Sequence, residues 1–335
     1  MNNKNTFKVF AGTLTAAVVA VGAVSFTAIT AIADETVSYY GISADGTVLN
    51  GTITDYTMIT SSDTAWGTSG KDTWYVADGD MNVDSGAPIE ILGNVNVILK
   101  DNSQFIIENG IMGTDATVTF YGETENGGGI MTIRGMDGLN GQDGGTESTG
   151  ETGTGKNGSD GNSAVDCGNI VISGGQINVI GGKGGNGGNG GYFTASGFFG
   201  NGGNGGDGGL AITDSTKVHL FGGKLNITPS KGGTPGTNTY VSSEQQDNYK
   251  GEQGNPGKAV DGIYAVNGIL NVNKADNSDA TDVSGDYELY SVNAPIGSRL
   301  DIQSSGTTFV NSGTTITTRG DISVANKLEV GARSA

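Results

Sequence analysis

Apolar and polar residues alternate in short paired runs along much of the chain. The passages IVISGGQINVIGG (170–182), VHLFGGKLNITPSKGG (218–233) and IYAVNGILNVNK (263–274) share one form: a short alternating run, a turn containing Gly or Asn, and a second run reading [IL]-N-[VI]. The second runs are Ile177-Asn178-Val179, Leu225-Asn226-Ile227 and Leu270-Asn271-Val272, with Met131-Thr132-Ile133 as an earlier relative. The first runs also align, as Val118/Phe120, Ile170/Ile172, Val218/Leu220 and Ile263/Ala265. Period-two alternation rich in β-branched residues and bounded by turn residues predicts short strands rather than helices.

Asn178 and Asn226 are 48 residues apart, and Asn226 and Asn271 are 45 apart. A repeat holding two short strands and a long insertion cannot bury its own apolar face, so it must stack on its neighbours. Similar runs flank this region on both sides, IEILGNVNVILKDNSQFIIENGI before it and LDIQSSGTTFVNSGTTITTRGDISV after it. The expected fold is all-β, a right-handed parallel β-helix of several rungs. A β-sandwich is the structural rival, but it does not explain insertions at equivalent points.

Those insertions carry a second period. Glycine falls at 135, 138, 141 and 144 and again at 155, 158 and 161; at 182, 185, 188 and 191 and again at 200, 203, 206 and 209; and at 233, 236, 251, 254 and 257. Three residues per turn is the period of a polyproline II helix. Each insertion therefore reads as two period-three arms around a non-periodic tip, which is a hairpin. The second is mostly G-G-x, with two bare faces per turn, and the others are mostly G-x-x. The second is expected to lie inside an array of six arms, flanked by the other two.

The first residues change the picture of location. Lys4 and Lys8 precede an apolar, small-residue stretch that ends in Ala31-Ile32-Ala33, as a secretory signal peptide does. The expected organisation is a signal peptide over 1–33, an N-terminal segment or cap over 34–72, and the β-helix over 73–335 with Gly-rich insertions at 135–161, 181–209 and 231–257. The expected location is extracellular, with no membrane span after signal cleavage. Net charge is −18, and it is more negative once Lys4 and Lys8 are removed. Such a surface repels nucleic acid and anionic lipid. Cys167, the single cysteine, is expected to be a buried small apolar residue.

Candidate binding residues sit at the hairpin tips. YFTASGFF places Tyr192, Phe193, Phe198 and Phe199 at the end of arms reaching about 30 Å at about 3.1 Å per residue, and NTYVSSEQQDNY adds Tyr240 and Tyr249. Aromatic rings among adaptable polar groups suit recognition, because they offer rigid contact area with few rotors to freeze. The plainer role for these rings is to pack together and pin the hairpin ends, and the two roles are compatible. Catalytic residues are harder to find. His219, the one histidine, lies between inward-facing Val218 and Leu220 and so points outward. Asp166, Asp214 and Asp261 recur near the starts of three rungs, but no arginine recurs beside them, and turn capping suits them better. GGNGGDGGL falls one residue out of step with the calcium nonapeptide and has no tandem copies. No metal or cofactor is expected.

The stretch from Trp74 to Ile111, WYVADGDMNVDSGAPIEILGNVNVILKDNSQFIIENGI, resembles the repeated module of secreted carbohydrate-binding-type β-helix surface proteins of Gram-positive gut bacteria. The likeness covers roughly Thr73 to Gly135 and implies a surface protein with a glycan-related role. The Gly-rich hairpins are similar to the polyglycine II bundles of phage tail-tip adhesins and of an insect antifreeze protein. In the adhesins such tip loops contact the receptor. The functional expectation is a non-enzymatic, adhesin-like protein whose tips bind a glycan or cell-surface receptor. The alternatives are a β-helix polysaccharide lyase or hydrolase using the Asp column, and a purely structural surface protein.

Overall fold

A computed structural model describes residues 36–145, 153–193 and 197–257, and beyond these the backbone of strands between Ile263 and Val330. The expected signal segment, Asp261 and the first hairpin's tip lie outside the described residues. The fold is all-β with parallel sheets, and among the described residues the one helical element is a 3-10 turn, Gln246–Tyr249. No helix among them is long and apolar enough to cross a membrane.

As far as strand Ile269–Asn273 the chain passes back and forth between two sheets, adding a parallel strand to each in turn, and beyond it a third parallel sheet, Tyr287–Leu289, Thr307–Val310 and Lys327–Val330, joins the circuit. The first sheet runs from Thr57–Met58 through Ala65–Ala77, Ile89–Leu99, Ile111–Gly122, Val165–Ile172 and Lys217–Leu220 to Ile316–Thr318. The second runs from Asp80–Val83 through Gln104–Ile107, Ile130–Arg134, Gln176–Ile180 and Lys224–Thr228 to Ile322–Val324. Strand Ala65–Ala77 carries the first sheet across residue 72.

Alternation in sequence becomes columns in space. Val95, Val118, Ile170 and Val218 stand in register on the first sheet, as do Val97, Phe120, Ile172 and Leu220. Phe105, Met131, Ile177 and Leu225 face them from the second sheet, with Ile107, Ile133, Val179 and Ile227 beside them. All these side chains are buried in one continuous core. In-register parallel pairing stacks like on like, so every pass covers the apolar edge left by the one before. At the N-terminal end Trp66 fills the core, fully buried, and its indole N–H donates to Asp63 Oδ2 at 2.9 Å.

Outward positions of the second sheet are polar and ladder too. Asn226 Nδ2 donates to Asn178 Oδ1 at 2.6 Å, and Asn178 Nδ2 donates to Thr132 Oγ1 at 3.1 Å. An antiparallel hairpin, Val37–Ile42 with Val48–Ile53, lies against the outer side of the first sheet. Tyr39 packs on Trp74 (ring centroids 5.1 Å) and Tyr121 (5.4 Å), while Val37 and Tyr56 cover Val76 and Ile98. Tyr40 pairs with Gly122, and the Ile42 N–H donates to the Ser173 carbonyl at 2.9 Å, so the hairpin clips successive passes together.

Cys167 lies in the core, 3 % exposed. Burial, with Asp166 adding, pushes its thiol up to about 12 from an ordinary value of 9.0. Folded and unfolded chains both keep the proton below pH 9.0, so stability is indifferent to this group there. Above that the unfolded thiol ionises while the folded one does not, so the group lowers stability progressively as pH climbs from 9.0 toward 12. Thiol reagents at neutral pH are expected to leave Cys167 unlabelled in the folded protein and to label it fully in urea. Equal labelling rates would refute its burial.

Candidate functional site

The three Gly-rich insertions leave the fold after second-sheet strands and run side by side. Gly135, Gly138, Gly141 and Gly144 donate their N–H groups to the carbonyls of Ile180, Lys183, Asn186 and Asn189 at 2.7–2.8 Å. That outgoing arm of the second hairpin in turn donates from Gly181, Gly184, Gly187 and Gly190 to Thr228, Lys231, Thr234 and Thr237 at 2.8–3.1 Å. The returning arms repeat the scheme: Gly155, Gly158 and Gly161 bond to Asn201, Asn204 and Asp207, and Gly202, Gly205 and Gly208 bond to Tyr249, Glu252 and Asn255. The second hairpin closes on itself through Gly203 to Gly188, Gly206 to Gly185 and Gly209 to Gly182. It therefore bonds to the first and third hairpins and lies between them.

Only glycine permits this spacing. A Cβ on Gly185 would stand 2.0 Å from the Leu139 carbonyl oxygen, and one on Gly188 would stand 2.1 Å from that of Gln142. With side chains excluded, each arm satisfies its backbone by bonding to several neighbours, as a period-three helix without internal hydrogen bonds must.

Residues between the glycines have a task that sequence reasoning missed. Asn186 Oδ1 accepts the Thr234 N–H at 2.9 Å, and the next residue, Gly187, donates to the Thr234 carbonyl at 2.8 Å. One residue of the neighbouring arm thus clamps the whole Asn–Gly pair through its N–H and its C=O. Asn140 is clamped by Asn186, Asn157 by Asn204, Asn189 by Thr237 and Asn204 by Glu252 in the same way. Asp137, Asp143, Asp160 and Asp207 use their carboxylates as these asparagines use their amides. The signal was in the sequence: Asn or Asp precedes Gly at 137, 140, 143, 157, 160, 186, 189, 201, 204 and 207, in step with the period of three.

At the far end the tips of the second and third hairpins meet. Tyr192–Phe193 pairs antiparallel with Phe198–Phe199. The Tyr192 ring stacks on Phe199 (4.9 Å) and on Tyr240 (6.1 Å), and Tyr249 meets Phe199 edge-on (5.9 Å). The result is a row of rings, Tyr240, Tyr192, Phe199, Tyr249. Phe198 stays outside it, 58 % exposed, and Tyr240 at the end of the row is 54 % exposed. Phe193 is placed by its backbone pairing with Phe198.

Beneath the row sits Asn238, a residue not anticipated from sequence. It is fully buried. Its Nδ2 donates to the carbonyls of Gly191 (3.0 Å) and Gly200 (2.7 Å), and its Oδ1 accepts the Tyr240 N–H (2.9 Å). One side chain of the third hairpin thereby closes the neck of the second and sets the position of Tyr240.

No family model, curated protein or solved structure matches this chain. Asp166 Oδ1 accepts hydrogen bonds from Thr213 Oγ1 (2.9 Å) and Ser215 Oγ (3.2 Å), and so ties one pass to the next. His219 is half-buried against Phe221 (5.6 Å), and burial, then Lys217, holds its imidazole below the usual range. Among the described residues no three His, Cys, Asp or Glu side chains gather where they could hold a metal ion.

Proposed function

We propose that the alternating passes coil as a right-handed parallel β-helix, and that the chain is an exported, non-enzymatic binding protein whose polyglycine hairpins present an aromatic tip to a glycan. The alternation of parallel strands between two sheets supports the coil, and the strong preference of parallel crossovers for one hand supports its sense. The observation that carries the binding role is the ring row at the end of the array, with Phe198 and Tyr240 open to solvent beside it. Apolar ring faces flanked by Ser, Asn and Gln suit the mixed apolar and hydroxyl faces of a sugar. Glu244 and Asp247 of the third tip are exposed, and the whole chain is acidic, which favours an uncharged glycan over a sulfated or carboxylated one.

Phe198→Ala and Tyr240→Ala, made in the full chain, remove exposed ring area and leave the packed Tyr192–Phe199 pair in place. On an array of neutral and acidic glycans the parent is expected to bind neutral members. Each variant is expected to bind at least about tenfold more weakly, with an unchanged unfolding midpoint. Equal binding by parent and variants would move the site off the tips, and binding to a surface protein alone would replace the glycan by a protein receptor.

A further inference from the structure

We propose that the glycine array is also a chemical lock, which keeps Asn140, Asn157, Asn186, Asn189 and Asn204 from deamidating while Asn126, outside the array, ages far faster than they do. An asparagine followed by glycine is the most labile amide in a polypeptide, because the unhindered glycine nitrogen attacks the side-chain carbonyl carbon Cγ. A ring C–N bond forms, the Cγ–Nδ2 bond breaks, and ammonia leaves carrying the former amide proton. Water then opens the succinimide to aspartate or isoaspartate. The reaction needs the glycine nitrogen free to turn toward Cγ and the side chain free to turn toward the nitrogen.

The array denies both movements. Asn140, Asn157, Asn186, Asn189 and Asn204 each hold a neighbouring arm's N–H on Oδ1 at 2.8–3.1 Å. The glycine after each donates its own N–H to the carbonyl of that same neighbour at 2.7–2.9 Å. Attack would require breaking both bonds and swinging Cγ back over a backbone packed on several sides. A local opening must precede the chemistry, and its equilibrium slows the rate.

Asn126–Gly127 is the contrast within the same molecule. It lies in the bend between strands Ile111–Gly122 and Ile130–Arg134, with Asn126 exposed and Gly127 half-buried beside the Asp101 carboxylate. Among the described residues no hydrogen bond holds the Asn126 side chain or the Gly127 N–H. The consequences also differ. Aspartate already occupies equivalent clamp positions at Asp137, Asp160 and Asp207, so ordinary deamidation in the array would keep an acceptor. Isoaspartate would add a backbone atom and break the period of three.

The test is to hold the intact protein at mildly alkaline pH and body temperature, with a urea-unfolded sample in parallel, and follow each asparagine by peptide mass spectrometry. In the folded protein Asn126 is expected to convert well before the five clamped asparagines, at a rate close to its unfolded one. The clamped asparagines are expected to convert at least about tenfold more slowly than in urea. A smaller protection of the clamped residues, or an Asn126 as slow as they are, overturns the proposal. Asn126→Gln should abolish the early product and leave unfolding and glycan binding unchanged.

Discussion

Replacing Gly188 by alanine is expected to open the array and lower the stability of the folded protein by about 3 kcal/mol or more. A glycine-to-alanine change normally stabilises by about 0.4–1 kcal/mol where the backbone conformation allows it, because the unfolded chain loses freedom. Here contact reverses the sign. The added Cβ would lie 2.1 Å from Gln142 O and 2.4 Å from Gln142 C, and backbone atoms cannot swing aside as a side chain can. Moving the arm instead stretches the bonds from Gly188 N to Lys156 O and from Gly203 N to Gly188 O, both 2.8 Å, together with those of the adjoining glycines. Each lost bond costs about 1 kcal/mol net, and more where a buried group is left unpaired. Gly128→Ala is the control, since a Cβ there meets nothing within 4 Å, and it is expected to fall within about 0.5 kcal/mol of the parent. Urea midpoints decide the matter: a Gly188→Ala midpoint equal to that of Gly128→Ala would mean the arms are not packed as described.

Asn238→Ala is expected to cost about 2–4 kcal/mol and to abolish tip binding without altering any ring. The side chain makes three hydrogen bonds in a fully buried position. Its removal strands the Gly200 carbonyl and the Tyr240 N–H, and each buried group left unsatisfied costs about 1–3 kcal/mol. Tyr240 then loses the bond that fixes its backbone, and the outermost ring of the row is no longer held against Tyr192. The aromatic circular dichroism of the protein should weaken in parallel with binding. Loss of stability with normal binding would assign Asn238 to the neck alone and separate the site from the row of rings.

What could be read from the sequence, and what could not, follows from the range of the interactions. Columns such as Val97/Phe120/Ile172/Leu220 were visible because burial on one face imposes a period of two on every strand. The arms were visible because close backbone approach imposes glycine at a period of three. Asn238 was hidden because one buried asparagine in a polar tip has no period, and its partners Gly191 and Gly200 lie on another hairpin. The N-terminal hairpin was hidden for a similar reason. VLNGTI alternates between exposed and half-buried residues, and the hairpin is held through Tyr39 by Trp74 and Tyr121, which are remote in sequence.

The clamps between arms also decide how this protein can vary. Each clamped residue answers to a partner 46–48 positions away, so the loss of one residue from an arm would throw every later pair out of phase. Arms can therefore lengthen or shorten only by whole triplets, matched on the outgoing and returning sides and in the adjoining hairpin. The tips beyond the last clamp are under no such constraint. A family built on this plan would keep its stalks in lockstep while its tips drift freely, so that specificity changes by exchanging a few residues on a stalk of fixed gauge.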